Sequence, residues 1–520
     1  MYLSYCYYNV HPSPLPGIAG SARHRRGSAP VPSMEERQMS QTSDRWQDAM
    51  ACVDRRTFLK MAGGTALALP FAACSGGSTP GGSVVVVGAG LSGIATALLL
   101  EERGIAVTIV EARDRVGGRV FTMDDVPGKP DAGGPVLGAS YERLLKITKA
   151  LGAPIVPMQN FETSELEYVN GQNVIAADWA TSSANTLQGG ERQILPGLLV
   201  GYFCGQNLTL EDGHAWTKAA HADLDIPLDE FLRRQGASPE ALRLMDVASN
   251  NNGLSVTSAL WALREAQRRR DTKVRGMMES PGGNSRIPEK LATAVKGPIH
   301  KGSPVTTISS GQNGVEVVCS SGASYKGDYC VVTVPFSVLR GITVDPPFQG
   351  LQKEAVEQLP YTAITQYFLV PKKPYWDEDR LPPLMWTDTA IERIFPQRDP
   401  DGRLLSLTCW IDGASAIRLD AMPESDQVAF VLGELARIRP STKGNVEVAK
   451  IMSWGREPYS NGAYSNYLPG QATRLKPVMA NPWHRLHFAG EHTAFISPGM
   501  EGAMESAERV ADEVMARLSS

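Results

Sequence analysis

The chain has 520 residues, of which 42% are hydrophobic and 20% are charged, and its formal net charge is −4. This length suffices for two or more domains with a large core, and the composition excludes a mainly disordered chain and a multispan membrane protein. The small negative charge argues against nucleic-acid binding, and the cationic run 264–275 is typical of the solvated side of a helix.

The N-terminal part of the chain is predicted to lie outside any domain. Residues 1–50 contain Pro, Ser and Arg without a period, so we expect a disordered extension. In segment 51–82, Arg55 and Arg56 precede an apolar run too short to span a bilayer, the pattern of a twin-arginine export signal and its linker. We therefore expect the twin-arginine export machinery as a partner. The protein should be bacterial and exported, in the periplasm or on the outer face of the cell membrane.

Cys74 at the end of this signal follows small residues, as in a bacterial lipoprotein cleavage site, although Phe71 stands where leucine is usual. A lipid anchor at Cys74 and ordinary cleavage nearby both stay open, and such an anchor is the one membrane contact considered. The four later cysteines show no metal-ligand spacing, so we expect no metal.

A buried strand, a glycine-rich turn and a helix then follow one another. Four consecutive valines, 84–87, predict a parallel strand that is covered on both faces. Gly88, Gly90 and Gly93 have the G-x-G-x-x-G spacing, in which the first permits a tight turn, the second lets backbone approach a pyrophosphate, and the third packs helix against strand. The helix predicted over 94–103 directs its free N–H groups at that pyrophosphate.

The next strand, 105–110, ends at Glu111, whose carboxylate can accept hydrogen bonds from the ribose hydroxyls of a dinucleotide. Gly117 and Gly118, followed by Arg119, give a second flexible and cationic turn, as expected for a flavin dinucleotide whose pyrophosphate needs another clamp. The other residues of this stretch predicted to contact the cofactor are Ala89, Ser92, Ala112 and Arg113.

With these motifs the chain resembles the FAD-dependent amine oxidase family, which includes monoamine oxidases, polyamine oxidases and L-amino-acid oxidases. The resemblance covers roughly residues 83–517 and implies an α/β fold: a Rossmann-like FAD-binding domain with an interleaved substrate domain of mixed sheet and helices. The predicted FAD-binding segments are 83–150, 276–345 and 453–520. The predicted substrate-domain segments are 151–275 and 346–452.

Further family landmarks follow in chain order. Gly133 and Gly134 match a glycine pair beside the flavin. Pro135 and Val136 stand where amino-acid oxidases of the family tend to carry an arginine, which weakens an α-amino-acid substrate without excluding one. Val305 lies in a predicted strand whose backbone meets the adenine in the family.

The intervening segments have patterns of their own. A hairpin is predicted over 165–175, followed by mainly helical structure to residue 275. Runs 315–318 and 325–333 predict a second hairpin, and 371–402 is expected to be rich in turns. The predicted strands of a second, mixed sheet are 361–370, 404–411 and 446–454.

One departure from the family concerns oxygen chemistry. The family usually places a lysine that holds a water at flavin N5 ten residues before the tryptophan of an F-W or Y-W pair, and counting back from Trp376 gives Gln366. Glutamine can hold a water but supplies no positive charge, so fast reaction of reduced flavin with oxygen is in doubt. An amine dehydrogenase that passes electrons to a periplasmic acceptor therefore stays open beside an oxidase.

The C-terminal part resembles the family stretch that presses against the flavin. Trp454 and Tyr464 match this stretch, and Tyr464 corresponds to one wall of the aromatic cage before the flavin ring. Ala463 stands where covalent monoamine oxidases carry the cysteine bonded to the flavin, so FAD should be non-covalent. Gly490 and Glu491 are expected at the ribityl and phosphate region.

The second wall of that cage differs. Gly499 falls where monoamine oxidases have the second tyrosine, so the cage is half open and could take a bulkier substrate flanked by Phe495 or Ile496. A helix starting near Met500 should aim its N-terminus at the flavin and stabilise the anionic reduced form.

The resemblance implies oxidation of an amine C–N bond, with Tyr464 and Gln366 as the catalytic residues. A small neutral amine beside Tyr464 would transfer hydride from its α-carbon to flavin N5, and the imine would hydrolyse to a carbonyl compound plus ammonia or amine. Reduced FAD would pass electrons to O2, giving H2O2, or to another acceptor. An L-amino-acid oxidase and, outside enzymes, a flavin-binding relay lipoprotein stay open as alternatives.

Overall fold

The structure is a computed structural model, and it describes residues 81–159, 162, 164–247 and 249–519. The predicted N-terminal extension, the twin-arginine signal and Cys74 lie outside the described residues. Within the described ranges no helix has both the length and the apolar character needed to cross a membrane.

The described residues form 23 strands, 13 α-helices and nine short 3-10 helices. The strands are β1 Ser83–Val87, β2 Ala106–Val110, β3 Phe121–Thr122, β4 Asp131–Gly133, β5 Leu137–Gly138, β6 Val156–Pro157, β7 Glu165–Val169, β8 Gln172–Ile175, β9 Met277–Glu279, β10 Ile299–His300, β11 Val305–Gly311, β12 Gly314–Cys319, β13 Ser324–Gly327, β14 Tyr329–Val332, β15 Thr343–Asp345, β16 Tyr361–Thr362, β17 Ile364–Pro371, β18 Leu384–Thr387, β19 Arg393–Arg398, β20 Leu404–Asp412, β21 Val446–Ser453, β22 Ala463–Ser465 and β23 Leu486–Phe488. The α-helices are α1 Leu91–Glu102, α2 Glu142–Leu151, α3 Leu199–Gln206, α4 Leu228–Arg234, α5 Pro239–Asp246, α6 Ala259–Asp271, α7 Arg286–Ala292, α8 Phe336–Leu339, α9 Gly350–Gln358, α10 Tyr375–Asp379, α11 Gly413–Asp420, α12 Glu424–Ile438 and α13 Gly499–Leu518. Short 3-10 helices cover Ala176–Thr181, Gly189–Gln193, Pro196–Leu198, Ala215–Thr217, Ala219–Leu224, Leu254–Val256, Pro440–Thr442, Lys476–Val478 and Glu491–Thr493.

A parallel sheet in the order β10–β2–β1–β14–β23 carries the glycine-rich turn. Val84 and Val86 on β1 pack with the α1 and α13 side, and Val85 and Val87 join a larger core on the opposite face. Strand β1 is therefore covered on both faces, which is why its sequence shows no polar alternation. The predicted Rossmann-like α/β fold is confirmed.

The run predicted as one strand over 325–333 is divided, and that prediction is wrong. Its first part, β13, pairs antiparallel with β12 as predicted, whereas its second part, β14, enters the parallel sheet beside β1. The chain turns at Asp328, whose Oδ2 accepts hydrogen bonds from Ser83 N at 2.8 Å and Ser83 Oγ at 2.9 Å. This carboxylate holds the turn at the start of β1. The two halves of one apolar run, β13 and β14, therefore belong to two different sheets.

The second large sheet has the order β21–β17–β20–β19–β18–β7–β8. It contains the hairpin predicted over 165–175 and the three strands predicted from 361 to 454. It also contains β18 and β19, which lie in the segment predicted to be rich in turns. Both strands are short. They are held by hydrogen bonds from β18 to β7 and from β19 to β20, and no local sequence pattern predicts this pairing.

Candidate active site

The carboxyl ends of the parallel strands open into a cavity of about 600 Å3, called the flavin cavity below. Val87 and Val110, the last residues of β1 and β2, line it together with Thr333, which follows β14. On the opposite side it is lined by Ile364 on β17 and Trp410 on β20. The cavity therefore lies between the two large sheets, at the strand edge where open α/β sheets bind their ligands.

Most of the predicted site residues come together here. The predicted residues that line the flavin cavity are Gly88, Gly90, Ser92, Glu111, Ala112, Arg113, Gly117, Gly118, Arg119, Gly133, Gly134, Val305, Trp454, Tyr464, Gly490, Glu491, Gly499 and Met500. Among the described residues, the lining does not include Ala89, Gly93, Gln366, Phe495 or Ile496.

Each of the three glycines of the first turn is required for a different physical reason. Gly88 has φ +106°, a conformation that residues with a Cβ rarely adopt. A Cβ on Gly90 would meet no atom within 4 Å, so the backbone there faces open space in the cavity. A Cβ on Gly93 would lie 2.0 Å from Gly88 O. Gly93 is thus required for packing of α1 against the turn, and Gly90 for close access of a ligand.

Glu111 joins the two glycine turns. It is 3% exposed, its Oε2 accepts from Ala89 N at 2.7 Å, and its Oε1 accepts from Arg113 N at 2.9 Å. Each carboxylate oxygen can still accept one more hydrogen bond, as contact with a ribose hydroxyl requires. Arg113 in turn is paired with Glu457.

The segment after the second turn packs tightly beneath Trp454. A Cβ on Gly133 would lie 2.0 Å from Arg119 O and 2.6 Å from the Trp454 ring, so only glycine fits there. Trp454 Nε1 donates to Ala132 O at 2.9 Å, which fixes the indole as a wall of the cavity. The predicted neighbours Gly133 and Trp454 therefore touch, although they are far apart in the sequence.

Tyr464 presents its ring to the flavin cavity from β22 and has a strained backbone, with φ +38°. Its hydroxyl donates to Asn250 O at 2.9 Å. Burial raises the pKa of Tyr464 well above its ordinary value, so the phenol stays protonated. Because the Tyr464 hydroxyl donates its proton to Asn250 O, the hydroxyl oxygen can only accept a hydrogen bond, for example from a ligand N–H group.

Asn250 is held in turn by a buried ion pair. Arg393 Nη2 donates to Asp412 Oδ2 at 2.6 Å, and Arg393 Nη1 donates to Asn250 Oδ1 at 3.0 Å. Asn250 N donates to the same Asp412 oxygen at 3.1 Å. Arg393 and Asp412 therefore hold Asn250, whose carbonyl accepts the hydrogen bond from Tyr464.

Glu491 links the phosphate side of the cavity to the Tyr464 strand. Its Oε1 accepts from Arg119 Nη1 at 3.1 Å and from Ser465 N at 2.8 Å, and its Oε2 accepts from Ser465 Oγ at 3.0 Å. Burial alone would raise the pKa of Glu491, but Arg119, His492 and the Ser465 hydrogen bonds outweigh it and lower the pKa. The carboxylate is therefore charged and neutralises Arg119.

Helix α13 begins at Gly499, and Gly499 and Met500 line the cavity as predicted. Phe495 and Ile496 precede the helix and lie outside this lining. Glu505 accepts hydrogen bonds from the backbone N–H groups of both, at 2.7 and 3.1 Å, and Ile496 packs on Gly213. This cap fixes the loop, and the expected position of Phe495 and Ile496 beside the substrate stays a prediction.

Gln366 lies on β17 and is fully buried. It is in register with Trp410 on β20, and Ile364 two residues earlier lines the cavity. Neither Oε1 nor Nε2 of Gln366 has a hydrogen-bond partner among the described residues. A buried amide of this kind is satisfied by a water or a ligand group, so its role beside the flavin stays a prediction.

Several cavity residues were not predicted from the sequence. Arg264 and Arg268 on α6 line the flavin cavity, although the run 264–275 was expected on a solvated helix side. Arg264 Nη2 donates to Ile496 O at 3.2 Å, and Arg268 pairs with Glu265 at 2.6 Å. The sequence feature that could have indicated their shared position is the four-residue spacing of the two arginines, which places them on one helix face.

Comparison with known proteins agrees with this site. Residues 91–515 match the model of the flavin containing amine oxidoreductase family. An L-amino-acid oxidase of Mus musculus is 27% identical over 449 residues, covering 82% of this chain and 70% of the relative. The flavin-containing amine oxidase A of Sus scrofa is 26% identical over 452 residues, which cover 84% of this chain and 85% of the relative. Cyclohexylamine oxidase from Brevibacterium oxydans IH-35A has a similar fold, with a TM-score of 0.71 at 21% identity over 84% of this chain and 100% of that one.

The chain belongs to the flavin containing amine oxidoreductase family. It is an FAD-dependent oxidoreductase that acts on CH–NH2 groups, and the non-enzymatic alternative is set aside. The residues present fit FAD: the open space at Gly90, the free acceptor capacity of Glu111 and the cationic second turn suit a dinucleotide. Ala463 lines the cavity and carries no thiol, which is consistent with non-covalent FAD.

Proposed function

We propose that the protein oxidises a small amine at the carbon bound to nitrogen, with Tyr464 orienting the substrate. Bound FAD would accept the hydride, and the resulting imine would hydrolyse to a carbonyl compound plus ammonia or amine. The observation that carries this proposal is the Tyr464 ring on the cavity wall, its hydroxyl held by Asn250 O at 2.9 Å. That geometry leaves an acceptor oxygen to receive an N–H of the substrate.

The same walls favour the neutral, reactive form of the amine. Ile364, Trp261 and Trp410 give this side of the cavity an apolar surface. Burial in such surroundings lowers the pKa of an ammonium group, so a proton is released on binding without a dedicated base. Gly499 also lines the cavity and carries no side chain, which leaves room for substituents larger than those of a simple monoamine.

In this proposal, the neutral side chain of Gln366 determines how fast the reduced flavin reacts with O2. A neutral amide can hold a water but does not stabilise negative charge that develops on oxygen. We therefore expect slow use of O2 and slow formation of H2O2, and an amine dehydrogenase with a periplasmic acceptor is the second form of the proposal. Export by the twin-arginine route belongs to the same proposal and rests on residues outside those described.

A second candidate, an L-amino-acid oxidase, is favoured by Arg264 and Arg268 in the cavity lining. Either guanidinium could bind a substrate carboxylate, replacing the arginine absent after Gly134. Against it, Arg264 already donates to Ile496 O and Arg268 is paired with Glu265. A small amine without an α-carboxylate therefore remains the first candidate.

Anaerobic mixing of the purified yellow protein with a panel of amines and a panel of L-amino acids separates these candidates. We expect the visible flavin bands to bleach with amines. Tyr464→Phe should slow the bleaching about tenfold at saturating amine while flavin content is unchanged, because the orienting oxygen is lost. Bleaching by amino acids that is lost in Arg264→Met would replace the first candidate by the second, and bleaching by neither panel would refute both.

A further inference from the structure

A second cavity of about 860 Å3 lies beside the flavin cavity. Pro135 and Trp410 line both cavities, so the two spaces share a wall at these residues. Leu384 and Phe395 on the seven-stranded sheet give the second cavity an apolar wall. None of the functions derived above uses this space.

Carboxylates outnumber cations around the second cavity. The lining carboxylates are Asp131, Glu162, Glu165, Glu279 and Asp399, and the lining cations are Lys129 and Arg398. Arg398 pairs with Glu162 at 2.6 Å, and Lys129 extends to Asp124 at 3.3 Å. The lining is therefore rich in carboxyl groups, and because burial raises the pKa of Asp131 to about 7, a cation that enters would favour its ionised form.

Glu165 is a buried carboxyl group of this lining. It is 6% exposed on β7, and its Oε1 has no hydrogen-bond partner among the described residues. Burial raises the pKa of Glu165 to about 8, opposed by the charge of Arg393. An unpaired buried carboxyl is costly, and an ammonium group is a ligand that would both satisfy and ionise it.

The sheet sets the distance between Glu165 and the flavin cavity. Strands β7, β18, β19 and β20 are consecutive neighbours, so Glu165 is separated from the Trp410 strand by three strand spacings. Trp410 is in register with Glu167, so Glu165 also lies two residues, roughly 7 Å, along the strand direction. The full separation from Trp410 is therefore roughly 16 Å, which an extended alkyl chain of about twelve carbons spans. A short diamine would not reach from the flavin cavity to Glu165.

We propose that the second cavity binds the distal ammonium group of the substrate on Glu165, so that the preferred substrate is a long α,ω-diamine or a polyamine of equal length. The inference rests on the proposed amine oxidation. The alkyl chain would pass Trp410 and lie along Leu384 and Phe395, and the reacting amine would lie at Tyr464. A monoamine of the same length would leave Glu165 unpaired and gain only the apolar contact.

The test is anaerobic rapid mixing with α,ω-diamines of four to twelve carbons and with monoamines of matching length. The dependence of the bleaching rate on concentration gives both the dissociation constant and the limiting rate. We expect the twelve-carbon diamine to bind at least tenfold more tightly than the monoamine of equal length, with similar limiting rates. Glu165→Gln should abolish this advantage without changing monoamine binding by more than about twofold.

Glu447→Gln is the matched control, since Glu447 has a 58% exposed side chain on the other edge strand of the sheet. It should behave as the wild type. Equal binding of diamines and monoamines at every length by the wild type would overturn the inference even if Glu165→Gln fails to fold. Bleaching by no amine would instead refute the proposed function, so the two failures are distinguishable.

Discussion

Replacing Gly93 by alanine tests whether α1 rests directly on the first glycine turn. The new Cβ would lie 2.0 Å from Gly88 O and 3.0 Å from Thr333 Oγ1. A carbon–oxygen contact needs about 3.3 Å, so the helix and the turn must separate by about 1.3 Å. Helix α1 cannot move freely, because Ile94, Ala95 and Leu100 are fully buried.

The expected cost is at the upper end of the range for overpacking, about 3 kcal/mol, since the clash is with backbone. Alanine regains up to about 1 kcal/mol of helix propensity, which leaves a net loss of about 2 kcal/mol. For a chain of this size that lowers the melting temperature by only a few degrees. The displaced turn should also lower the bound FAD fraction after purification.

Gly90→Ala is the matched control, because Gly90 has φ −73° and its Cβ would meet no atom within 4 Å. The melting temperature of the flavin-free protein should not change. The methyl group would occupy the space that the cofactor needs, so we expect FAD to bind at least tenfold more weakly, about 1.4 kcal/mol. Differential scanning fluorimetry and FAD titration give the two quantities. Wild-type stability of Gly93→Ala, or wild-type FAD affinity of Gly90→Ala, would refute the assignment of these roles.

Three further predictions concern the flavin and the charges near it. Gln366→Lys should raise the rate of reoxidation of the reduced enzyme in air about tenfold by placing a cation beside the flavin, and an unchanged stopped-flow rate would reject this role. Acid precipitation should leave the yellow colour in the supernatant, since Ala463 cannot bond the flavin; colour in the pellet would contradict this expectation. Burial lowers the pKa of His492 to about 3, with Arg119 acting in the same direction and Glu491 opposing. Because an unfolded histidine titrates near roughly 6.5, the unfolded chain binds a proton between pH 6.5 and 3 that the folded chain does not, so stability falls as pH falls through that window. His492→Asn should flatten the melting temperature against pH there, and an unaltered slope would show that another group is responsible.

Local patterns were sufficient for the first glycine-rich turn and for the strands and helix that flank it. The four valines before Gly88 and the glycine spacing predict a strand, a turn and a helix in immediate succession, and each depends on neighbours within a few residues. Glu111 and the turn at Gly117 could be placed by the same argument. Tyr464, Trp454 and Gly499 were found through motifs that the family resemblance identified, and the structure brings them to the same cavity.

The substrate half depended on tertiary structure. No local pattern shows that β7 and β20 lie in one sheet, so neither the position of Glu165 three strands from Trp410 nor the acidic cavity could be predicted. The hydrogen bond from Tyr464 to Asn250 joins segments that are distant in sequence, for the same reason. Glu505 caps the loop of Phe495 and Ile496 through backbone hydrogen bonds that no local pattern predicts. The sequence by itself thus determined the dinucleotide-binding turn, whose interactions are local, whereas strand order and loop capping, which need the whole folded chain, decided the shape and charge of the substrate space.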